Sequence, residues 1–386
     1  MYSDAADEKR TAFRREEKRY QLHRDQTFLT RRNRRVGGAL VTRRTCVDDA
    51  LDTRDLRSLA ETGGGEHGVR AVALARADRV DANADPNGRA PREAYELASR
   101  PGCVVFPGAL DAATQRKWLA DAVTRLCEPP AETNHDAAYG PIAGLWAAAT
   151  SDEKCWLESV ATGGANGDGV GVGPARWSRS PPAGAAATRR EASSLLRRLR
   201  WATLGPKYDW TSRTYRTDEP VFSEVPEDVR ARCEILAASV AAAGADGGDE
   251  KNRRRFRFGA GLVNYYRSGD ALAGHVDDAE RDLTKPIVSF SLGSPCVFLL
   301  GGDTRDDAPS ALILRSGDAV VLSGESRRRF HGVPRIFTAR EDARDARGEL
   351  LAAPREVSDP ACWTEQPEVA RYVAGGRVNV SVRDID

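Results

Sequence analysis

The sequence predicts an α+β chain with a mainly β core of the jelly-roll, or double-stranded β-helix, type and helices flanking it on the N-terminal side. Three observations predict it. From about Phe256, short apolar stretches recur at 260–266, 271–276, 286–292, 296–300, 311–315, 318–323 and 377–383, each ending near Gly, Pro, Asp or Ser. No helical pattern interrupts them, and short strands joined by tight turns mark a sandwich or barrel. Earlier in the chain, Trp118, Leu119 and Val123 fall at helical spacing, which places helices outside that barrel.

With 386 residues, 40% of them hydrophobic, the chain has room for one large domain or two ordinary ones. The net charge of +1 excludes a molecule that is basic throughout. Residues 1–45, however, carry 13 Lys+Arg against 6 Asp+Glu, and this +7 leaves −6 for the remainder. A basic arm on a mildly acidic body is a layout used to bind nucleic acid. A compositional source competes with that reading, because only 7 of the 58 basic residues are Lys, as GC-rich coding would produce.

Residues 1–95 read as a basic arm and linker. Up to Arg35 the charges alternate with little apolar periodicity, which fits an exposed helix, a localisation signal or a disordered arm. Residues 45–95 include Gly63–Gly65 and an Asp-Pro-Asn-Gly turn at 85–88. The seven cysteines are scattered with no CxxC pair, so neither a disulfide framework nor a zinc site is indicated. No apolar run approaches the ~18–20 residues that span a membrane, and no signal-peptide pattern opens the chain. Asp4, Asp7 and Glu8 also argue against a mitochondrial transit peptide. A soluble, intracellular monomer is expected, with nucleus, cytoplasm and mitochondrion all open.

The folded domain is expected over 96–386. Cys103–Phe106 reads as a strand ended by Pro107 and Gly108, and a helix follows. Residues 162–190 are a Gly/Ala/Pro-rich insertion. Its Gly167–Gly173 run misses both the dinucleotide and P-loop spacings and reads as a surface loop. The core occupies about 256–386.

Five histidines are present, at 23, 67, 135, 275 and 331. In His275-Val276-Asp277 the two ligand types are two residues apart, so extended backbone puts both side chains on one face. A second histidine from a later strand, His331, completes two imidazoles and a carboxylate. That set is the facial triad of non-haem iron(II) oxygenases. His23-Arg24-Asp25 has the same spacing but lies in the Arg-rich arm without a strand pattern, and reads as chance.

Arg377–Arg383 alternates strictly, with three valines on one face and Arg377, Asn379, Ser381 and Arg383 on the other. Two readings stand: an edge strand with a solvated polar face, or a receptor whose guanidinium forks take a dicarboxylate. Asn264 and Tyr266 share one face of the strand leading to His275.

These elements together resemble the AlkB family of nucleic-acid dioxygenases. The resemblance runs through Asn264-Tyr265-Tyr266, His275-Val276-Asp277, Pro286–Gly293, Gly301-Gly302, Gly317-Asp318, Gly324–Arg327, His331 and Arg377–Arg383, in matching order and approximate spacing. It is nearest to the eukaryotic AlkB homologue 1 branch through Ser194–Trp201, Asn264–Arg267 and the long segment between His331 and Arg377. It covers roughly residues 95–386, with fragments near Ala12-Phe13-Arg14.

The resemblance implies iron(II) on His275, Asp277 and His331, with 2-oxoglutarate as cosubstrate. Arg377, assisted by Tyr266, would take its distal carboxylate, and Asn264, Asn379 and Arg383 its metal-proximal end. It implies dioxygen as oxidant, N-methyl hydroxylation with loss of formaldehyde, and a methylated base in tRNA or DNA, unpaired or flipped. A nucleotide-recognition lid would span about 199–225. Tyr208, Trp210 and Tyr215 there are candidate base stackers, against the alternative of ordinary core aromatics. Arg327, with Arg328 and Arg329, would contact phosphate near the iron. Two other classes compete: an oxygenase acting on protein, and a non-catalytic nucleic-acid-binding module with a vestigial barrel.

Overall fold

The computed structural model describes residues 10–21, 47, 50–62, 68–74, 93–158, 175–209, 212, 214–218, 223–244, 256–341 and 343–385. In chain order the strands are β1 (Leu51–Asp52), β2 (Val69–Ala71), β3 (Tyr95–Leu97), β4 (Cys103–Phe106), β5 (Trp156–Leu157), β6 (Trp177–Ser178), β7 (Trp201–Leu204), β8 (Lys207–Asp209) and β9 (Thr214–Arg216). There follow β10 (Phe258–Arg267), β11 (Leu272–His275), β12 (Ile287–Gly293), β13 (Cys296–Leu300), β14 (Ser310–Leu314), β15 (Ala319–Leu322), β16 (His331–Ile336) and β17 (Gly376–Asp384). Four helices matter most for packing: α1 (Ala12–Tyr20), α2 (Ala112–Thr124), α3 (Glu227–Ala242) and α4 (Pro367–Val373).

One sheet runs β2-β3-β4-β15-β12-β17-β10-β7 and the other β1-β14-β13-β16-β11. From β10 onward the chain passes back and forth between them. Strands β10, β12, β15 and β17 lie in the large sheet, and β11, β13, β14 and β16 in the small one. This is the expected double-stranded β-helix. Alternation along each strand sorts its side chains into layers. Val104, Phe106, Phe290 and Val321 face the helices. Val105, Val320 and Leu322 meet Phe298, Leu300 and Leu314 between the sheets.

The helices behind the large sheet start where capping chemistry allows. The Asp111 carboxylate accepts from Thr114 N at 2.7 Å and opens α2. Glu227 and Asp228 in the first turn of α3 complement its dipole. Trp118 on α2 stands edge-on to Phe290, with ring centroids 5.0 Å apart, and its indole N–H donates to Asp228 at 2.9 Å.

Four expectations change. The arm is, in its described part, helix α1, which buries Phe13, Glu17 and Tyr20. These positions are i, i+4 and i+7, one face of a helix. A glutamate in the middle position hides the apolar periodicity from the sequence. The linker expected over 45–95 contributes β1, parallel to β14, and β2 and β3, which extend the large sheet. Of the 162–190 insertion, Trp177–Ser178 pairs with Trp156–Leu157 and Ala186–Arg190 is helical. The segment taken as lid begins with β7, which pairs with β10 inside the large sheet. Among its described residues, the β8–β9 hairpin forms a separate two-stranded sheet. His23, the 85–88 turn and Gly167–Gly173 lie outside the described residues. Among the described residues no helix is long and apolar enough to cross a membrane.

Trp118 is 2% exposed and links α2, α3 and the sheet. Trp118→Ala should therefore destabilise the protein by about 3–5 kcal/mol in chemical denaturation. A loss below about 1 kcal/mol would mean that the helical layer is not packed as described.

Candidate metal centre and cavity

Strand β11 ends on His275 and β16 begins on His331, and the antiparallel register sets the two residues opposite each other. Asp277 follows His275 by two residues. One donor atom from each of the three lies within 4.8 Å of the others. The Asp277 carboxylate is 3.7 Å from Nε2 of His275 and 3.7 Å from Nε2 of His331. Those separations are too long for hydrogen bonds, so the three groups converge without bonding one another.

Backbone carbonyls decide how the imidazoles face. His275 Nδ1 donates to Ala273 O at 3.0 Å, and His331 Nδ1 donates to Arg329 O at 3.1 Å. A carbonyl can only accept, so each ring carries a proton on Nδ1 and directs Nε2 toward Asp277. Burial, reinforced by His275, pulls the His331 pKa down to about 4, against the opposing pull of Asp277. Burial alone would raise the Asp277 pKa, but Arg383, then His331 and His275, hold it below the usual carboxylate range. Imidazole nitrogens with one ionised carboxylate are the donor set that suits a divalent transition-metal ion.

Glu280 is the hub behind this centre, and sequence reasoning missed it. Its carboxylate accepts from Arg327 Nη2 at 2.8 Å, Arg383 Nη1 at 3.3 Å and Tyr215 Oη at 3.1 Å. Arg383 also lies 3.5 Å from the Asp277 carboxylate. The one available signal was the acidic run that continues from Asp277 through Asp278 to Glu280.

Arg327 does not reach phosphate. It is 1% exposed, and its donors go to Asp277 O at 2.6 Å, Lys285 O at 2.8 Å and Glu280. It clamps the loop that carries the triad carboxylate. Arg328 is exposed, and Arg329 donates to Glu325.

A cavity of about 490 Å³ opens beside the triad. Strand β17 lines it with Arg377, Asn379, Ser381 and Arg383, and β10 adds Asn264 and Tyr266, which stand opposite Asn379 and Arg377 in register. β17 lies between β12 and β10, so the edge-strand reading falls. Arg377 is 2% exposed and donates to Ser291 Oγ at 2.9 Å, while its Nε and Nη1 have no hydrogen-bond partner among the described residues. Its guanidinium sits 5.2 Å from the Tyr266 ring. Asn379 departs from the donor role expected of it, because its amide N–H groups go to Ser289 Oγ and Phe290 O, each at 2.8 Å. Tyr208 and Tyr215 also line the cavity, half-buried, with ring centroids 5.2 Å apart. Neither belongs to the three apolar clusters among the described residues, which favours a cavity wall over a core role for them. Trp210 lies outside the described residues.

His331 is neutral when folded down to about pH 4, whereas the unfolded chain protonates it near 6.5. The unfolded state thus binds the extra proton between those values. The metal-free protein should keep this contribution above about pH 6.5 and lose it as pH falls toward 4, by at most about 1.4 kcal/mol per unit. His331→Gln should flatten that slope in denaturation curves taken across pH 4–7, and an unchanged slope would contradict it.

Residues 173–383, more than half the chain, match the family profile of the 2OG-Fe(II) oxygenase superfamily. The chain is 34% identical to the DNA N(6)-methyladenine demethylase ALKBH1A of Arabidopsis thaliana, over 99% of this chain and 98% of that one. It is 32% identical to the nucleic acid dioxygenase ALKBH1 of Mus musculus, over 76% of this chain and 66% of the mouse protein. To the tRNA demethylase abh1 of Schizosaccharomyces pombe it is 38% identical over 36% of this chain and 43% of that one. With the paired histidines and carboxylate at the mouth of a jelly roll, these likenesses establish that the chain belongs to the 2OG-Fe(II) oxygenase superfamily, within its AlkB family and similar to the ALKBH1 proteins.

Proposed function

We propose that this protein is an iron(II)- and 2-oxoglutarate-dependent dioxygenase that removes methyl groups from nitrogen atoms of nucleic-acid bases. The observation that carries the reading is the pairing, in one cavity, of a metal-type triad with a buried guanidinium that has open donors. A dicarboxylate anchored on a cation at one end needs a buried positive partner at the other. The names of the relatives, a DNA demethylase and a tRNA demethylase among them, support the substrate class.

The residues present fit both groups. His275, Asp277 and His331 would hold iron(II), and Arg377 would receive the distal carboxylate of 2-oxoglutarate beside Tyr266. Arg383 lines the cavity with an Nε that has no hydrogen-bond partner among the described residues, and Asn264 lines the same wall. Bound there, iron(II) and 2-oxoglutarate supply dioxygen activation, with succinate and carbon dioxide as coproducts and an N-methyl group hydroxylated and then lost as formaldehyde. The protein's own part is to keep the imidazoles turned, the carboxylate ionised and the cavity lined with apolar surface that excludes water. Tyr208 and Tyr215 offer ring faces on which an unpaired base stacks.

The test combines the purified chain, iron(II), 2-oxoglutarate and N-methylated oligonucleotides of DNA and tRNA sequence. Formaldehyde and succinate should both form, and His275→Ala, Asp277→Ala or His331→Ala should each abolish both. Full turnover in Asp277→Ala would overturn the assignment. Absence of succinate from the wild type would leave a binding module, and succinate without formaldehyde from either nucleic acid would leave a protein substrate.

Stacking is worth roughly 1–3 kcal/mol per base. Tyr208→Ala should accordingly weaken oligonucleotide turnover by about tens-fold while substrate-independent succinate formation persists. Equal loss of both would assign Tyr208 to the fold instead of the substrate.

A further inference from the structure

Helix α1 touches the metal strand at one residue. Glu17 is 1% exposed, and its Oε1 accepts from Gly274 N at 2.6 Å, across 257 positions of sequence. Its second oxygen accepts from Arg14 Nη1 at 2.7 Å, so the carboxylate is bonded on both sides. Gly274 immediately precedes His275, and its carbonyl is held too, by Arg305 Nη2 at 2.7 Å. Both hydrogen-bonding groups of that backbone unit are therefore taken by side chains from elsewhere in the chain. The pairing of β11 with β16 is irregular here, with a register shift between Leu272 and His275, so the sheet alone does not hold this stretch.

The helix is seated for this contact. Phe13 N donates to Arg305 O at 2.9 Å, which ties α1 to the residue that grips Gly274 O. The Phe13 ring lies where a Cβ on Gly274 would be, and a Cβ on Gly301 would come within 2.8 Å of it. Arg305 in turn stacks over Phe330, the residue before His331, at 5.0 Å. Both histidine strands are thus approached from the outer face by one helix and one arginine.

We propose that Glu17 is a positioning residue of the metal centre. Through Gly274 N it fixes the backbone that aims His275 and that presents Ala273 O to His275 Nδ1. Residues that orient a metal ligand from behind typically change affinity 10–100-fold when removed. Because Glu17 acts through one backbone unit, about tenfold is expected. The inference rests on the triad being a metal site, so the experiment reads that site directly.

Cobalt(II) is titrated into the full-length protein without oxygen or 2-oxoglutarate, and the visible d–d absorption is followed. Wild-type protein should bind one cobalt(II), and His275→Ala should lose it. Failure of either result would sink the metal reading itself. Glu17→Ala should bind about tenfold more weakly with an altered d–d spectrum. Glu17→Gln keeps an oxygen acceptor for Gly274 N and should restore both affinity and spectrum, although its amide nitrogen no longer accepts from the half-exposed Arg14. Wild-type affinity and spectrum in Glu17→Ala would overturn the proposal. So would a Glu17→Gln protein that folds but matches Glu17→Ala, since charge rather than the Gly274 bond would then be the cause.

Discussion

Arg377 carries a full positive charge at 2% exposure, bonded to one serine hydroxyl and paired with no carboxylate among the described residues. An uncompensated buried cation costs several kcal/mol, so a fold that keeps one has a use for an anion there. Strand β17 meets this constraint by lying inside the large sheet, with β12 and β10 on either side. Val378, Val380 and Val382 anchor it in the helical core layer. The same alternation turns the arginines into the cavity, where desolvation makes a guanidinium a strong and selective receptor.

The other cations of the site are balanced. Arg327 and Arg383 face Asp277 and Glu280, two charges against two, and the carboxylates stay ionised because those guanidiniums outweigh the burial that would protonate them. Asp277 is gripped at its backbone carbonyl by Arg327 and approached at its side chain by Arg383. Tyr215 ties the β8–β9 hairpin to the same network through Glu280. The wall that would meet a base and the carboxylate that would meet a metal thus share one hydrogen-bonded hub, leaving Arg377 as the open charge.

The jelly roll and the triad were legible because both obey strand periodicity. Apolar runs mark the core strands to within about two residues, and HxD places two ligands on one face only in extended backbone. Strand β16 was harder, since Pro334 removes a donor from its middle and His331-Gly332 shows no alternation. Helix α1 and Glu17 were hidden for a different reason. A buried carboxylate inside an Arg-rich helix looks like solvated charge until its partner, 257 residues away, is known. Arg327 misled in the opposite way: three arginines beside a histidine look like a phosphate patch, and only the structure reveals that the first is buried among carbonyls and a carboxylate.

The central claim is that Arg377 exists to take one particular carboxylate. It is tested most directly by comparing 2-oxoglutarate with 2-oxopentanoate, which replaces the distal carboxylate by a methyl group. Affinities are measured by anaerobic titration of the metal-loaded protein, in wild type and in Arg377→Ala. The wild type should favour 2-oxoglutarate by about two orders of magnitude or more, as the loss of a buried charge partner implies. Arg377→Ala should bind the two nearly equally. A preference for 2-oxoglutarate that survives in Arg377→Ala would contradict the account.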